Sequence, residues 1–182
     1  MPARSRLRQT RRAYPPHDTP AGKPGCLLYT ATFDPTGLVG DGPVAAVSML
    51  DTVQMPNGAS YAVGWFAAGG LHALAIQRSG GGQLKTVAVL GDGETDIVKF
   101  HALAARANGE VWAAGSKVKP DAKLPSPLLA TVSGTSVQQR ALLDINGEIN
   151  GLAQSETGLI AVGSRGSNPT EGMIWRFSDT HN

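Results

Sequence analysis

The 182 residues contain a single cysteine, Cys26. One cysteine excludes an intrachain disulfide. No histidine or other base neighbours it in the sequence to favour the thiolate, so it reads as a small hydrophobe or a chance residue, not a nucleophile. Aromatic residues are scarce, at 5%, and a core must therefore rest on Val, Leu, Ile and Ala. No apolar run approaches the roughly 18 residues of a membrane helix. No Gly-x-Ser-x-Gly elbow occurs. The glycine runs Gly69-Gly70 and Gly80-Gly81-Gly82 lack the Lys-Ser/Thr that completes a phosphate loop and read as turns. The histidines His17, His72, His101 and His181 stand alone, without a second His, Cys or carboxylate at metal-ligand spacing. His72 and His101 read as half-exposed residues at strand starts. No catalytic, cofactor-binding or metal residue is assigned, and no cofactor is expected.

Charge is not scarce but it is unevenly placed. The formal net charge is +2. Arg4, Arg6, Arg8, Arg11, Arg12 and Lys23 face only Asp18 within residues 1–25, which also hold Pro2, Pro15, Pro16, Pro20 and Pro24. The remainder is acidic on balance. Residues 1–25 read as a disordered basic tail ahead of one folded domain, 26–182. Such a tail binds an anionic surface, directs the chain to a compartment, or is an unselected leader. Nucleic-acid binding is disfavoured, because neither an aromatic platform nor a recognition helix accompanies the arginines. No apolar stretch follows them as a secretory signal requires, and Ala-Tyr-Pro-Pro after Arg11-Arg12 argues against a twin-arginine signal. A cytoplasmic location without membrane attachment is the default expectation.

What the chain does have is a repeat of about 50 residues. A turn, a short apolar run and a Gly recur as Asn57-Gly58-Ala59-Ser60-Tyr61-Ala62-Val63-Gly64, then Asn108-Gly109-Glu110-Val111-Trp112-Ala113-Ala114-Gly115, then Thr157-Gly158-Leu159-Ile160-Ala161-Val162-Gly163. Each is followed across a loop by a second alternating run: His72–Gln77, Leu128–Ser133 and Met173–Ser178. A further copy, Leu27–Thr32, precedes the first turn. Alternation of period two predicts strands with one buried face. In the second unit these fall at 99–105, 110–115, 127–132 and 138–144. Residues 99–107 are rich in helix formers, but they alternate and their counterparts 48–55 and 148–155 are not helical, so a strand is predicted. Tyr61, Trp112 and Ile160 share a face with Val63, Ala114 and Val162, and packing between neighbouring sheets is their expected role. Gly (23) and Pro (12) are abundant. Asn57-Gly58, Asn108-Gly109 and Asn146-Gly147 predict hairpins with two residues of positive φ.

These repeats resemble a divergent β-propeller of the broad sialidase-like, kelch-like and tryptophan–aspartate group, over about 27–177. The resemblance rests on the Gly closing the second strand, as in Ala161-Val162-Gly163-Ser164, and on Ile174-Trp175-Arg176-Phe177-Ser178-Asp179. The sialidase Asp-box, Ser-x-Asp-x-Gly-x-x-Trp, is degenerate: Ser79–Gly82 keeps its Gly turn without the Asp or Trp, and Ser178-Asp179 and Ser133-Gly134 match less. The resemblance implies an all-β fold of four-stranded antiparallel units. About three blades are present, and propellers close with about four to eight. The outer half-unit at the start and the inner half-unit at the end could form one mixed blade. Otherwise the chain is a partial propeller, copies complete a ring as a homo-oligomer, or the strands close as a sandwich or barrel.

Two surface features carry a chemical reading. Asp92, Glu94 and Asp96 surround Gly93; they suit a hard cation such as calcium but lack the further oxygen ligands of a calcium loop, so a solvated acidic turn is expected. The loop Ser116–Pro127, with Lys117, Lys119, Lys123, Pro120, Pro125 and Pro127, is a candidate binding loop or a site of tolerated length variation. The resulting expectation is a non-catalytic binding or scaffold module for an unknown protein, small-molecule or glycan ligand. The alternative is a fragment or divergent form of a sialidase-like glycan-processing enzyme. Such an enzyme needs convergent arginines and paired acids, and Arg78, Arg106, Arg140, Arg165 and Arg176 show no linked acid in the sequence. Enzymatic activity is therefore the less favoured reading.

Overall fold

The structure, a computed structural model, describes residues 43–79, 84–91, 97–133, 136–166 and 170–178. The basic tail, Leu27–Thr32, Cys26, His17, His181 and the acidic turn 92–96 lie outside the described residues. Those described form eleven strands and no helix. A first sheet holds β1 (Ala46–Gln54), β2 (Ser60–Ala68), β3 (Gly70–Arg78) and β4 (Leu84–Leu90) in that order. A second repeats the pattern with β5 (Val98–Ala105), β6 (Val111–Val118), β7 (Pro125–Ser133) and β8 (Ser136–Leu142). A third holds β9 (Gly147–Ser155), β10 (Gly158–Arg165) and β11 (Glu171–Ser178). Every pairing is antiparallel between sequence neighbours. The four expected strands of the second unit are all present, and 99–107 is a strand as its alternation required.

The sheets stack in file. Between the first and second lie Val63, Ala73, Ala75, Val98, Phe100, Leu103, Val111, Ala113, Leu128 and Ala130, with Tyr61 packed at the margin. Between the second and third lie Ala104, Ala114, Leu129, Ile149, Leu159 and Ala161, flanked by Trp112, Leu152, Trp175 and Phe177. A third cluster, Phe66, Ala68, Leu74 and Ile76, sits on the far face of the first sheet. The three first strands, β1, β5 and β9, are neighbours along the file. The first and third sheets have no extensive contact, so the file does not close among the described residues.

Each first strand carries a bulge at the same place. The register slips between Met49 and Asp51 in β1, between Phe100 and Ala102 in β5, and between Ile149 and Gly151 in β9. The extra residues are Leu50, His101 and Asn150. A bulge reverses which face the following residues occupy. That reversal lets Phe100 and Leu103 enter one core layer, and Ile149 and Leu152 another. The bulge also accounts for the recurring Gly. A Cβ on Gly64, Gly115 or Gly163 would overlap the carbonyl oxygen of Ser48, Lys99 or Glu148 at the bulge. Glycine is thus needed there for close approach of two backbones.

The turns depart from expectation. In Met55–Ala59, Gly58 N donates to Met55 O (3.0 Å) and Met55 N to Ala59 O (2.7 Å); Arg106–Glu110 repeats this with 2.9 and 2.8 Å. Only Gly58 and Gly109 have positive φ, 80° and 87°. These are three-residue loops of a type I turn and a Gly bulge. Asn57 and Asn108 stay at negative φ because their Oδ1 accepts the N–H two residues on, from Ala59 and Glu110 (3.0 Å each), the Asx arrangement. Asn146-Gly147 is no hairpin: it joins β8 of one sheet to β9 of the next.

The third unit also differs from a half-unit. It holds three strands, and β11 pairs with β10 over all eight residues from Gly158 to Arg165. The place of a third strand is therefore filled, and Leu27–Thr32, which matches that same place in the repeat, could not join β10 in a mixed blade without displacing β11.

Candidate functional site

The bulges bring together side chains far apart in sequence. His101 Nδ1 lies 2.9 Å from Asn150 Oδ1. The amide oxygen only accepts, so Nδ1 donates. Asn150 Nδ2 in turn donates to Glu148 Oε1 at 3.5 Å, and Glu148 Oε2 is 3.9 Å from His101 Nδ1. The His101 side chain is 15% exposed and that of Glu148 38%. His101 is therefore a bulge residue bound across two sheets, not a half-exposed residue at a strand start. In β1, Asp51 follows the bulge. Its Oδ2 accepts from Leu103 N of the second sheet (2.7 Å) and its Oδ1 from Thr52 N (2.8 Å). Leu50 beside it is 48% exposed. Leu50, Asp51, His101, Glu148 and Asn150 thus form one rim along the first strands, polar except for Leu50.

Aromatic faces brace the same interfaces. Lys99 Nζ lies 5.6 Å from the centre of the Trp65 ring, joining the first two sheets, and Arg106 lies 6.0 Å from that of Trp112. Tyr61 and Trp112 pack between sheets as expected. Ile160 and Val162 do not: Val162 is 46% exposed, because no sheet covers that face of the third unit among the described residues.

His72 is wholly buried, contrary to the half-exposed expectation. Its Nδ1 lies 2.6 Å from Gly91 O and its Nε2 3.0 Å from Ala68 O. It fastens the β2–β3 turn to the end of β4 and stacks on Phe66 at 5.1 Å. This is a structural role, since both ring nitrogens are occupied by backbone.

Neither a protein-family model nor a curated protein matches this chain.

The candidate binding loop is shorter than predicted, because β6 runs to Val118 and β7 begins at Pro125. Lys119 within it bonds Asp144 of the β8–β9 connection. That lysine holds the Asp144 carboxyl below its ordinary range, through the hydrogen bond first and its charge second. Two shallow hollows flank the connection. One, of about 350 Å³, is lined by Ile145, Asn146, Arg165, Gly166 and Glu171; the other, of about 220 Å³, by Lys119, Ala122, Ser126, Asp144, Ile145 and Asn146. Their charges are paired, Arg165 Nε to Glu171 Oε2 at 2.7 Å and Lys119 to Asp144, so neither hollow presents a strong field of one sign.

The arginines engage separate acids or hydroxyls. Arg106 reaches Glu110 (3.4 Å), Arg165 reaches Glu171, and Arg140 Nε donates to Thr131 Oγ1 (3.0 Å). Glu110 titrates below its ordinary range chiefly because the Asn108 amide bonds it. Among the described residues, no group of three or more His, Cys, Asp or Glu could hold a metal ion. No helix among them is long and apolar enough to cross a membrane.

The rim itself was missed in the sequence. Its signal was present: in each unit the recurring Gly pairs beside the bulge, and locating the bulge would have located Leu50, His101 and Asn150.

Proposed function

We propose that this protein is a non-catalytic binding or scaffold module of propeller-like β-repeats, and that its ligand-facing surface is the rim of Leu50, Asp51, His101, Glu148 and Asn150. The observation carrying this reading is the repeated bulge. A bulge re-aims a side chain and is favoured beside functional sites. Here each of three sheets uses it to present one residue from its first strand. In a propeller the first strands line the central channel, where ligands meet the blades. An imidazole, an amide and two carboxylates supply the donors and acceptors that a hydroxyl-rich ligand such as a glycan requires. The full-length chain is to be tested on a glycan array and on a panel of chromogenic glycosides. Binding without turnover, lost in His101→Ala and Asn150→Ala, is the expected result. Turnover that survives purification, or array binding indifferent to both substitutions, overturns the proposal.

A further inference from the structure

The two ends of the stacked sheets are unequal. Cross-strand partners Val63 and Ala75 of the first sheet are both 0% exposed under the second sheet. Their counterparts Ala114 and Leu129 are 0% and 3% exposed under the third. The third member of the series is Val162 paired with Ile174, and these are 46% and 74% exposed. At the other end, the far face of the first sheet is closed, with Phe66 and Leu74 both at 0%. The file thus has one covered end and one bare end.

We propose that the bare face of the third sheet is a self-association surface, covered by the same face of a second copy of this chain across a twofold axis. The repeat shows what covers this face wherever it is covered: the apolar face of another sheet of the same kind. A second copy brings such a face. A ring or filament of copies joined head to tail needs an open surface at each end, and the Phe66–Leu74 end is shut. An isologous pair needs only the open one, and it buries both bare faces in one contact.

The face suits such a contact. Ile160, Val162 and Ile174 form its apolar centre, and cross-strand neighbours Gly151 and Ala153 on β9 leave it flat enough for close approach. Arg176, opposite Ile160, marks the charged margin. Three strands of about eight residues span roughly 26 by 14 Å at ordinary strand rise and spacing. That is a small footprint beside the roughly 800 Å² per partner of a standard interface, so the dimer is a reversible, concentration-dependent one.

This proposal rests on the propeller-like reading of the repeat, not on the ligand assigned to the rim. The test is sedimentation velocity on the full chain over a wide range of concentrations. The expected result is a monomer–dimer equilibrium, the mass rising from 18.9 kDa toward twice that value. Ile174→Asp is expected to stay monomeric throughout with an unchanged circular dichroism spectrum, since the side chain is exposed. Ile97→Asp, at an exposed apolar residue elsewhere, is expected to dimerise as the parent does. A parent that stays monomeric, a trimer or open-ended growth, or a dimer unaffected by Ile174→Asp overturns the proposal. Each of these leaves the rim reading standing, because glycan binding is read on the monomer as well.

Discussion

The absence of one Cβ governs each inner hairpin. At Gly115 a methyl group would strike the carbonyl of Lys99, which is backbone and held by the bulge. Neither partner can retreat without breaking strand pairing. Gly115→Ala is therefore expected to cost roughly 2–4 kcal/mol, the range for strain and overpacking inside a folded domain. Gly172 lies in the same kind of strand with nothing within 4 Å of its would-be Cβ. Gly172→Ala is expected to change stability by no more than about 0.5 kcal/mol. Urea unfolding of the two variants decides it, and equal midpoints would refute this account of the repeated glycine. In the sequence, Gly64, Gly115 and Gly163 were visible as a periodic mark, but the carbonyl each one faces was not.

At the scale of elements, sheets are joined through the unpaired sides of their first strands. An edge strand exposes N–H groups that need partners, and Asp51 supplies one by accepting from Leu103 N at 2.7 Å across the first interface. Asp51→Ala leaves that part-buried donor unmet and is expected to cost about 1–3 kcal/mol. Asp51→Asn keeps an acceptor oxygen and is expected to recover much of the loss. A thermal melt of both variants tests this, and an alanine variant as stable as the parent would remove Asp51 from the joint. The second interface has no such aspartate. Ala102 occupies the equivalent place after the bulge, and the His101–Asn150–Glu148 bonds stand there instead. The bulge also explains the ambiguity of 99–107. Phe100 and Leu103 face one layer three residues apart, a helical spacing produced within a strand by one inserted residue. Strand identity was legible from the flanking alternation. The bulge was not, because it is defined by the partner strand.

For the whole molecule, stability and association are linked. If the bare Val162–Ile174 face is covered by a second copy, the folded state gains by mass action and the melting temperature rises with protein concentration. Calorimetry across dilutions is expected to show that rise in the parent and a concentration-independent midpoint in Ile174→Asp. Equal behaviour of both would leave the interface without support. The order of sheets along the file was legible in the repeat, as were the number of full units and the residues of the inter-sheet layers. The one misplaced layer, at Ile160 and Val162, followed from assuming that every unit has a neighbour on both sides.

Local chemistry settled much of this protein before folding is considered. Alternating Val, Ala, Leu and Ile with Gly-marked turns allow strands and little else, and their recurrence makes the strands into equivalent sheets. Tertiary structure decided the remainder. It placed one extra residue in each first strand, paired His101 with Asn150 and Asp51 with Leu103 across sheets, buried His72 between two carbonyls, and left one end of the file bare. Each of those outcomes depends on which surfaces meet, a property of distances between segments that no periodicity within a segment encodes.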